Sequence, residues 1–484
     1  MLRIITILIS FLFLTGFDYV KYLPDAQTGD CSAHSYTLGS HPGAWGTYVD
    51  EDFGTTVRYF GASGSTLQYT TFPITDYSGN SVALASGITI YRTDGSYVGA
   101  WGSETACAGD SNPTDYDQRW SYNTADLLYY HCGTKFYSLD VSGAVGTWGR
   151  TEIKDWSSVY PTLSHFGAHD EGSFSSWDSR YWAFSVTVSG TSGVKYITVW
   201  DRVNDSYAHF DINAYAIANW DVGHQTVAIN WVAISPSGDY VVVLLSENTS
   251  PWNIVLDVTK DGNGEPTAVT FNRDFFNTWQ IGHAAVGYSM EGDEIVVYDK
   301  NAGLSGIGVV NLTQGVESDF FAFHPDDDCP PETGEVNNIG HGHIAPMISS
   351  DAAKRGWFSW TTFLDSNGDT TQDFWLYNEV WAMRVSSTAS DVIIYRIAHI
   401  RTDYTSYSDD GKQQWSMDGS EIYWVANWDG TETRAIYRAE LPTEWWLEIA
   451  GISPSPANSI QGVSISELKI TENLTAWNRT DGLR

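Results

Sequence analysis

The side chains best able to do chemistry in this chain are imidazoles that recur beside Val-, Tyr- and Trp-rich runs: His169, His283, His341, His343 and His399. Neutral imidazole is a common ligand for transition metals. In His341-Gly342-His343 two of them stand at i and i+2, which on a strand puts them on one side. A divalent metal, Mn, Zn or Ca, held by His283, His341, His343 and His399 is the expected site. His169 stands two residues from Glu171, and a carboxylate facing the same way raises the basicity of an imidazole. The competing reading for each is structural: a ring bonded to local backbone or packed against a neighbouring Trp.

Such distant residues can act together only if the fold makes them converge, and the chain carries a repeat that does so. Seven times a Gly/Asp-rich turn leads into a β-rich run and a second such run follows. The turns include Ser78-Gly79-Asn80, Pro236 to Asp239 and Met417 to Ser420. The runs after them include Tyr181 to Ser185, Tyr240 to Leu245 and Glu294 to Tyr298, and the second runs include Ile197 to Asp201 and Ile307 to Asn311. A degenerate repeat averaging about 57 residues reads as an all-β, seven-bladed β-propeller over residues 46–442. The final blade lacks one strand, and Thr47 to Phe60 is expected to supply it, closing the ring and covering two sheet edges. The loops feeding the innermost strands would bring the histidines to one axial funnel. Residues 208–226 are a candidate helical insertion. Residues 17–45 form a lead-in, and after Pro442 the chain becomes a linker and tail, 443–484.

The chain has 59 acidic and 25 basic residues, a formal charge of −34. Such a field repels nucleic-acid phosphates and anionic membrane surfaces. Residues 1–16, with Arg3 before the apolar run Ile4 to Leu14, suit a signal peptide or a short anchor rather than a comfortable bilayer span. Export is the expected localisation, secreted or periplasmic, and it permits disulfides among Cys31, Cys107, Cys132 and Cys329. Cys107 with Cys132 is the favoured pair. No Cys-x-x-Cys, serine-hydrolase elbow, phosphate-binding Gly loop or dinucleotide fingerprint is present.

The motifs around the histidines resemble a known group. His169-Asp170-Glu171-Gly172-Ser173 before Arg180-Tyr181-Trp182, Gly282-His283, Gly340-His341-Gly342-His343, Lys354-Arg355-Gly356-Trp357, Ala398-His399-Ile400-Arg401 and Trp415-Ser416-Met417-Asp418-Gly419 are similar to segments of exported propellers of the oligogalacturonate-lyase and ulvan-lyase type, with TolB-type turns. The resemblance implies β-elimination of an acidic polysaccharide. That reaction neutralises a uronate carboxylate, removes the C5 proton with a base and protonates the leaving oxygen. On this reading Arg355 and Arg401 neutralise the carboxylate, His169 is the base and Tyr404 or Tyr407 the proton donor. Arg119, Glu171, Trp231 and Trp415 complete the substrate-binding set. The pattern also wants a Gln near the metal histidines. Gln413 and Gln414 are at hand, but the His spacing expected after them is absent.

Asp365, Asn367, Asp369 and Asp373 place oxygens as a structural calcium loop would, although Thr370 stands where the EF-hand has Gly, and ordinary hairpin chemistry gives the same pattern. Two non-enzymatic readings stay open: a propeller that binds glycan or protein, and a self-assembling surface protein.

Overall fold

The computed structural model describes residues 40–43, 45–61, 67, 71–84, 88–101, 118–144, 147–167, 174–188, 194–220, 227–245, 253–275, 283–299, 307–320, 342–349, 351–362, 378–387, 392–402, 411–442 and 445–446. Each repeat is a turn-punctuated antiparallel sheet, and there are seven. The turn chemistry explains the repeat. In Ser416-Met417-Asp418-Gly419 the Ser416 hydroxyl donates to Asp418 Oδ1 at 2.7 Å, the Ser420 N–H donates to the same oxygen at 3.0 Å, and Gly419 takes φ 72°. The left-handed position strongly favours Gly there.

In every blade the two runs legible in the sequence are the second and third strands. Blade 6 shows the pattern: innermost Gly342–Pro346, then Trp357–Thr362, Glu379–Val385 and outermost Val392–His399. In blade 1 the segment ending at Thr75 takes the innermost place. Ile74 accepts from Ala83 N, and Thr75 bridges Val82.

Ring closure follows the expected route with one refinement. The N-terminal segment is a hairpin, not one strand. Thr56–Gly61 pairs antiparallel with Ala435–Glu440 as the fourth strand of blade 7, and Thr47–Val49 adds a fifth. The closure is reinforced on the axis: Ile74 N donates to Trp415 O at 2.9 Å and Gln414 Nε2 to Phe72 O at 3.0 Å.

The core lies between blades. Trp231, Val242, Leu244, Val255, Val286, Val296 and Tyr298 form one buried cluster from blades 4 and 5. Ile295, Val297, Ile344, Phe358, Trp360 and Trp381 form the next, from blades 5 and 6. Broad aromatic rings fill the wedge between twisted sheets. Among the described residues the α-helix Ile212–Asn219, capped by Asp211, follows blade 3. No helix among the described residues is long and apolar enough to cross a membrane. Cys132 is disulfide-bonded; the other three cysteines lie outside the described residues. Beyond Pro442 the described residues are Trp445 and Trp446, whose rings meet edge to face.

Candidate functional site

The innermost strand of blade 6 starts at Gly342, with His343 paired to Thr361 of the next strand. Gly342 is required there by space: a Cβ would come within 2.0 Å of both the Thr361 carbonyl oxygen and the Trp360 indole nitrogen. His343 is fully buried. His283 immediately precedes the innermost strand of blade 5, Ala284–Tyr288, and its carbonyl accepts from Asp299 N at 2.8 Å. The two imidazole rings lie 4.4 Å apart, centroid to centroid, tilted by 48°. Burial holds the His343 pKa well below its ordinary 6.5, and the neighbouring charges of His283 and Lys412 push it the same way. His343 is therefore neutral near pH 7, the form that binds metals.

Lys412, which the sequence reading did not single out, belongs to this cluster. Its carbonyl accepts from Val425, the fifth residue of Glu421–Ala426, just as His343 pairs with the fifth residue of Trp357–Thr362. The two thus stand at one depth on adjacent blades, a signal that repeat alignment carries. Gln413, the next residue, is fully buried. It donates to His343 O at 2.7 Å and Ser359 O at 3.0 Å and accepts from Thr361 Oγ1 at 2.7 Å.

Arg119 is also an inner-strand cation, from blade 2. Its guanidinium carbon lies 3.4 Å from the centroid of Phe72 and 4.4 Å from that of Phe174, which belong to blades 1 and 3. Its Nη1 donates to Gln118 O at 2.8 Å.

Other expected site residues lie elsewhere. His399 ends the outermost strand of blade 6, three strand spacings from His343, about 14 Å across the sheet. Its ring meets Asp50 Oδ2 at 3.1 Å and Asp52 Oδ2 at 3.5 Å on the N-terminal hairpin, and its N–H donates to Asp50 at 2.9 Å. Burial alone would lower the His399 pKa, but the Asp50 hydrogen bond and charge raise it above 6.5, while Asp50 falls below 3.8. Beside it Glu379 and Arg396 form a buried ion pair, and Phe53 lies 5.0 Å from the His399 ring. This is a latch for ring closure rather than a ligand set.

Arg355 precedes the second strand of blade 6, beyond the far end of the five-residue innermost strand, roughly 15 Å along it from the His343 end. There it stacks over Tyr288 at 5.0 Å. Arg401 follows the outermost strand with φ 58° and is clamped over Tyr48 and Trp428 at 4.9 and 5.0 Å. Trp231 and Trp415 are each 1% exposed, and Trp415 Nε1 donates to Ala345 O at 3.2 Å. Their rings are inter-blade core and have no open face for a sugar. His169, Glu171, His341, Tyr404 and the loop of Asp365, Asn367, Asp369 and Asp373 lie outside the described residues. Among the described residues no group of three or more His, Cys, Asp and Glu gathers as metal ligands.

No family model matches the chain, and no curated protein matches it. Among solved structures, an oligogalacturonate lyase from Vibrio parahaemolyticus superposes with TM-score 0.52 and 10% identity over 86% of this chain and 100% of that one. The likeness is one of fold. A protein described as TolB from Agrobacterium tumefaciens gives TM-score 0.33 at 11% identity, covering 68% of this chain and 90% of that one. Hsv2 of Kluyveromyces lactis gives 0.32 at 11%, covering 64% and 71%. The seven sheets and the likeness to the lyase show a seven-bladed β-propeller.

Proposed function

We propose that this propeller is an exported polysaccharide lyase that cleaves a uronate-containing glycan by β-elimination at the mouth framed by blades 5, 6 and 7. The observation that carries the reading is the pair His283 and His343, on adjacent blades, 4.4 Å apart, with His343 held neutral. Two such imidazoles fit a divalent metal, with His341, two residues away in sequence, as the third ligand. A bound cation would supply the charge that neutralises the uronate carboxylate and acidifies its C5 proton. Lys412 adds positive charge at the same depth, whereas Arg119, buried between Phe72 and Phe174 of blades 1 and 3, stays outside the scheme. His169 takes the C5 proton, and Tyr404 returns one to the leaving oxygen as the bond to it breaks and the double bond forms. Arg355 and Arg401 have no part in this scheme because they lie away from the mouth. The net charge of −34 makes the local cations the determinants of binding, since long-range attraction of a polyanion is absent.

The test is incubation with ulvan, pectate, alginate and glycosaminoglycans, with Mn, Zn or Ca added, following ultraviolet absorbance of the unsaturated product. A rise that disappears in His343→Ala supports the reading. Glycan binding with no absorbance change, for every substrate and metal, would make the protein a binding propeller.

A further inference from the structure

We infer that Gln413 is a positioning residue: its carboxamide fixes the inner-strand backbone at His343 from the adjacent blade, so that the strength and geometry of metal binding depend on it although it is not itself a ligand. The inference rests on the reading of His283 and His343 as metal ligands. It follows from how completely the side chain is used. Gln413 is 0% exposed on the innermost strand of blade 7. Its Nε2 carries two hydrogens, and both are spent on blade 6, one on His343 O at 2.7 Å and one on Ser359 O at 3.0 Å. Its Oε1 accepts from Thr361 Oγ1 at 2.7 Å, and Thr361 is the residue paired with His343 across the sheet.

One planar amide therefore ties together the backbone of the histidine, its cross-strand partner and the strand behind. An amide so occupied has little capacity left for a cation, since turning its oxygen to a metal would leave buried carbonyls and a hydroxyl without their partner. Residues that hold a ligand in place tune a metal site in the same way as hydrogen-bond partners of the ligand itself, typically by 10- to 100-fold in affinity. Gln413 thus bonds across the blade 6–7 seam at the depth of His343.

The experiment uses the full chain and three variants: Gln413→Leu, Gln413→Glu and Thr361→Val. Mn and Zn affinities are measured by calorimetry, the Co(II) absorption spectrum reports ligand geometry, and thermal melting checks the fold. The expected result is a folded Gln413→Leu protein that binds Mn and Zn about 10- to 100-fold more weakly with an altered Co(II) spectrum. Thr361→Val, which removes only the hydroxyl that orients the amide, should move both readouts in the same direction by less. If Gln413→Leu does not fold, Thr361→Val decides alone. Gln413→Glu keeps size but replaces both donors with acceptors, and should lose at least as much affinity as Gln413→Leu; retained or tightened binding in Gln413→Glu makes the residue a ligand and overturns the inference. Wild-type affinity and spectrum in the folded Gln413→Leu and Thr361→Val proteins would overturn it as well. Absence of metal binding in the wild-type chain instead removes the reading on which it rests.

Discussion

Replacing Asp50 with Ala should loosen ring closure in a pH-dependent way. Asp50 is fully buried and receives the N–H groups of His399 at 2.9 Å and of Asp52 and Phe53 at 3.3 Å, besides meeting the His399 ring at 3.1 Å. Removing one partner of a buried hydrogen-bonded charge pair costs about 3–5 kcal/mol. At about 2.1 cal/mol/K per residue of unfolding entropy, a ring of about 400 residues melting in one step converts that loss into about 4–6 °C of Tm. Asp50 has a folded pKa below 3.8, so its contribution is present above that value and fades as pH falls through the folded pKa. His399 has a folded pKa above 6.5, so its contribution is full below 6.5 and is lost as pH rises through the folded pKa. Asp52 and Glu379, which also face the ring, add to its protonation, and Arg396 is occupied by Glu379. The difference in Tm between wild type and Asp50→Ala should therefore be greatest between pH 3.8 and 6.5 and shrink on both sides. Calorimetric melting of wild type, Asp50→Ala, His399→Ala and the double variant from pH 3 to 10 gives the coupling directly. Equal Tm values throughout, or a difference that grows above pH 8, would refute the latch.

Other outcomes follow from the same packing. Gly342→Ala forces a Cβ into the Thr361 carbonyl and the Trp360 ring; it should cost about 1–3 kcal/mol by denaturant unfolding and weaken metal binding with it. Trp415→Ala should lower stability by about 3–5 kcal/mol, because the ring is inter-blade core; a variant of wild-type stability that loses only glycan binding would contradict that placement. Glu294, whose pKa burial raises, accepts from Ser237 N at 2.6 Å and from the hydroxyls of Ser237 and Ser235 at 3.0 and 3.1 Å across the blade 4–5 seam. Glu294→Ala should cost about 1–3 kcal/mol in the same unfolding assay, with Ser237→Ala costing less.

The fold was legible because it is written in turns and alternation. Tyr240 to Leu245 appears with the bounds read from its sequence, and Glu294 to Tyr298 falls within a residue of them. The missing strand of blade 7 is legible because the N-terminal run leaves no open sheet edge, but the break at Asp50 to Thr55 is not, since the Asp50 carboxylate caps a turn there that no repeat announces. The inner-strand placement of two histidines was legible as well. His283 and His343 were traced to inner-strand entries because a Gly precedes each and a β-rich run follows. His399 reads from the sequence as the approach to the last blade, but it ends the outermost strand of blade 6; the outermost strands lack the turn signature that would have separated the two. Arg355 could have been placed: it stands between the Asp351 to Lys354 turn and the second strand, which puts it at the hairpin end of the blade. Lys412 was missed because its role comes from depth in the ring, a property of register rather than of local residue type.

Blades 5 and 6, packed side by side, bring the His283 and His343 rings within 4.4 Å, and on the proposed function the two bind one metal. Calorimetric titration of Mn, Zn and Ca into the full chain, beside His283→Ala and His343→Ala variants of unchanged melting temperature, tests it most directly. One binding event per chain is expected for at least one of these ions, lost in both variants. Binding that survives both substitutions, or a wild-type chain that takes up none of the three, would contradict it.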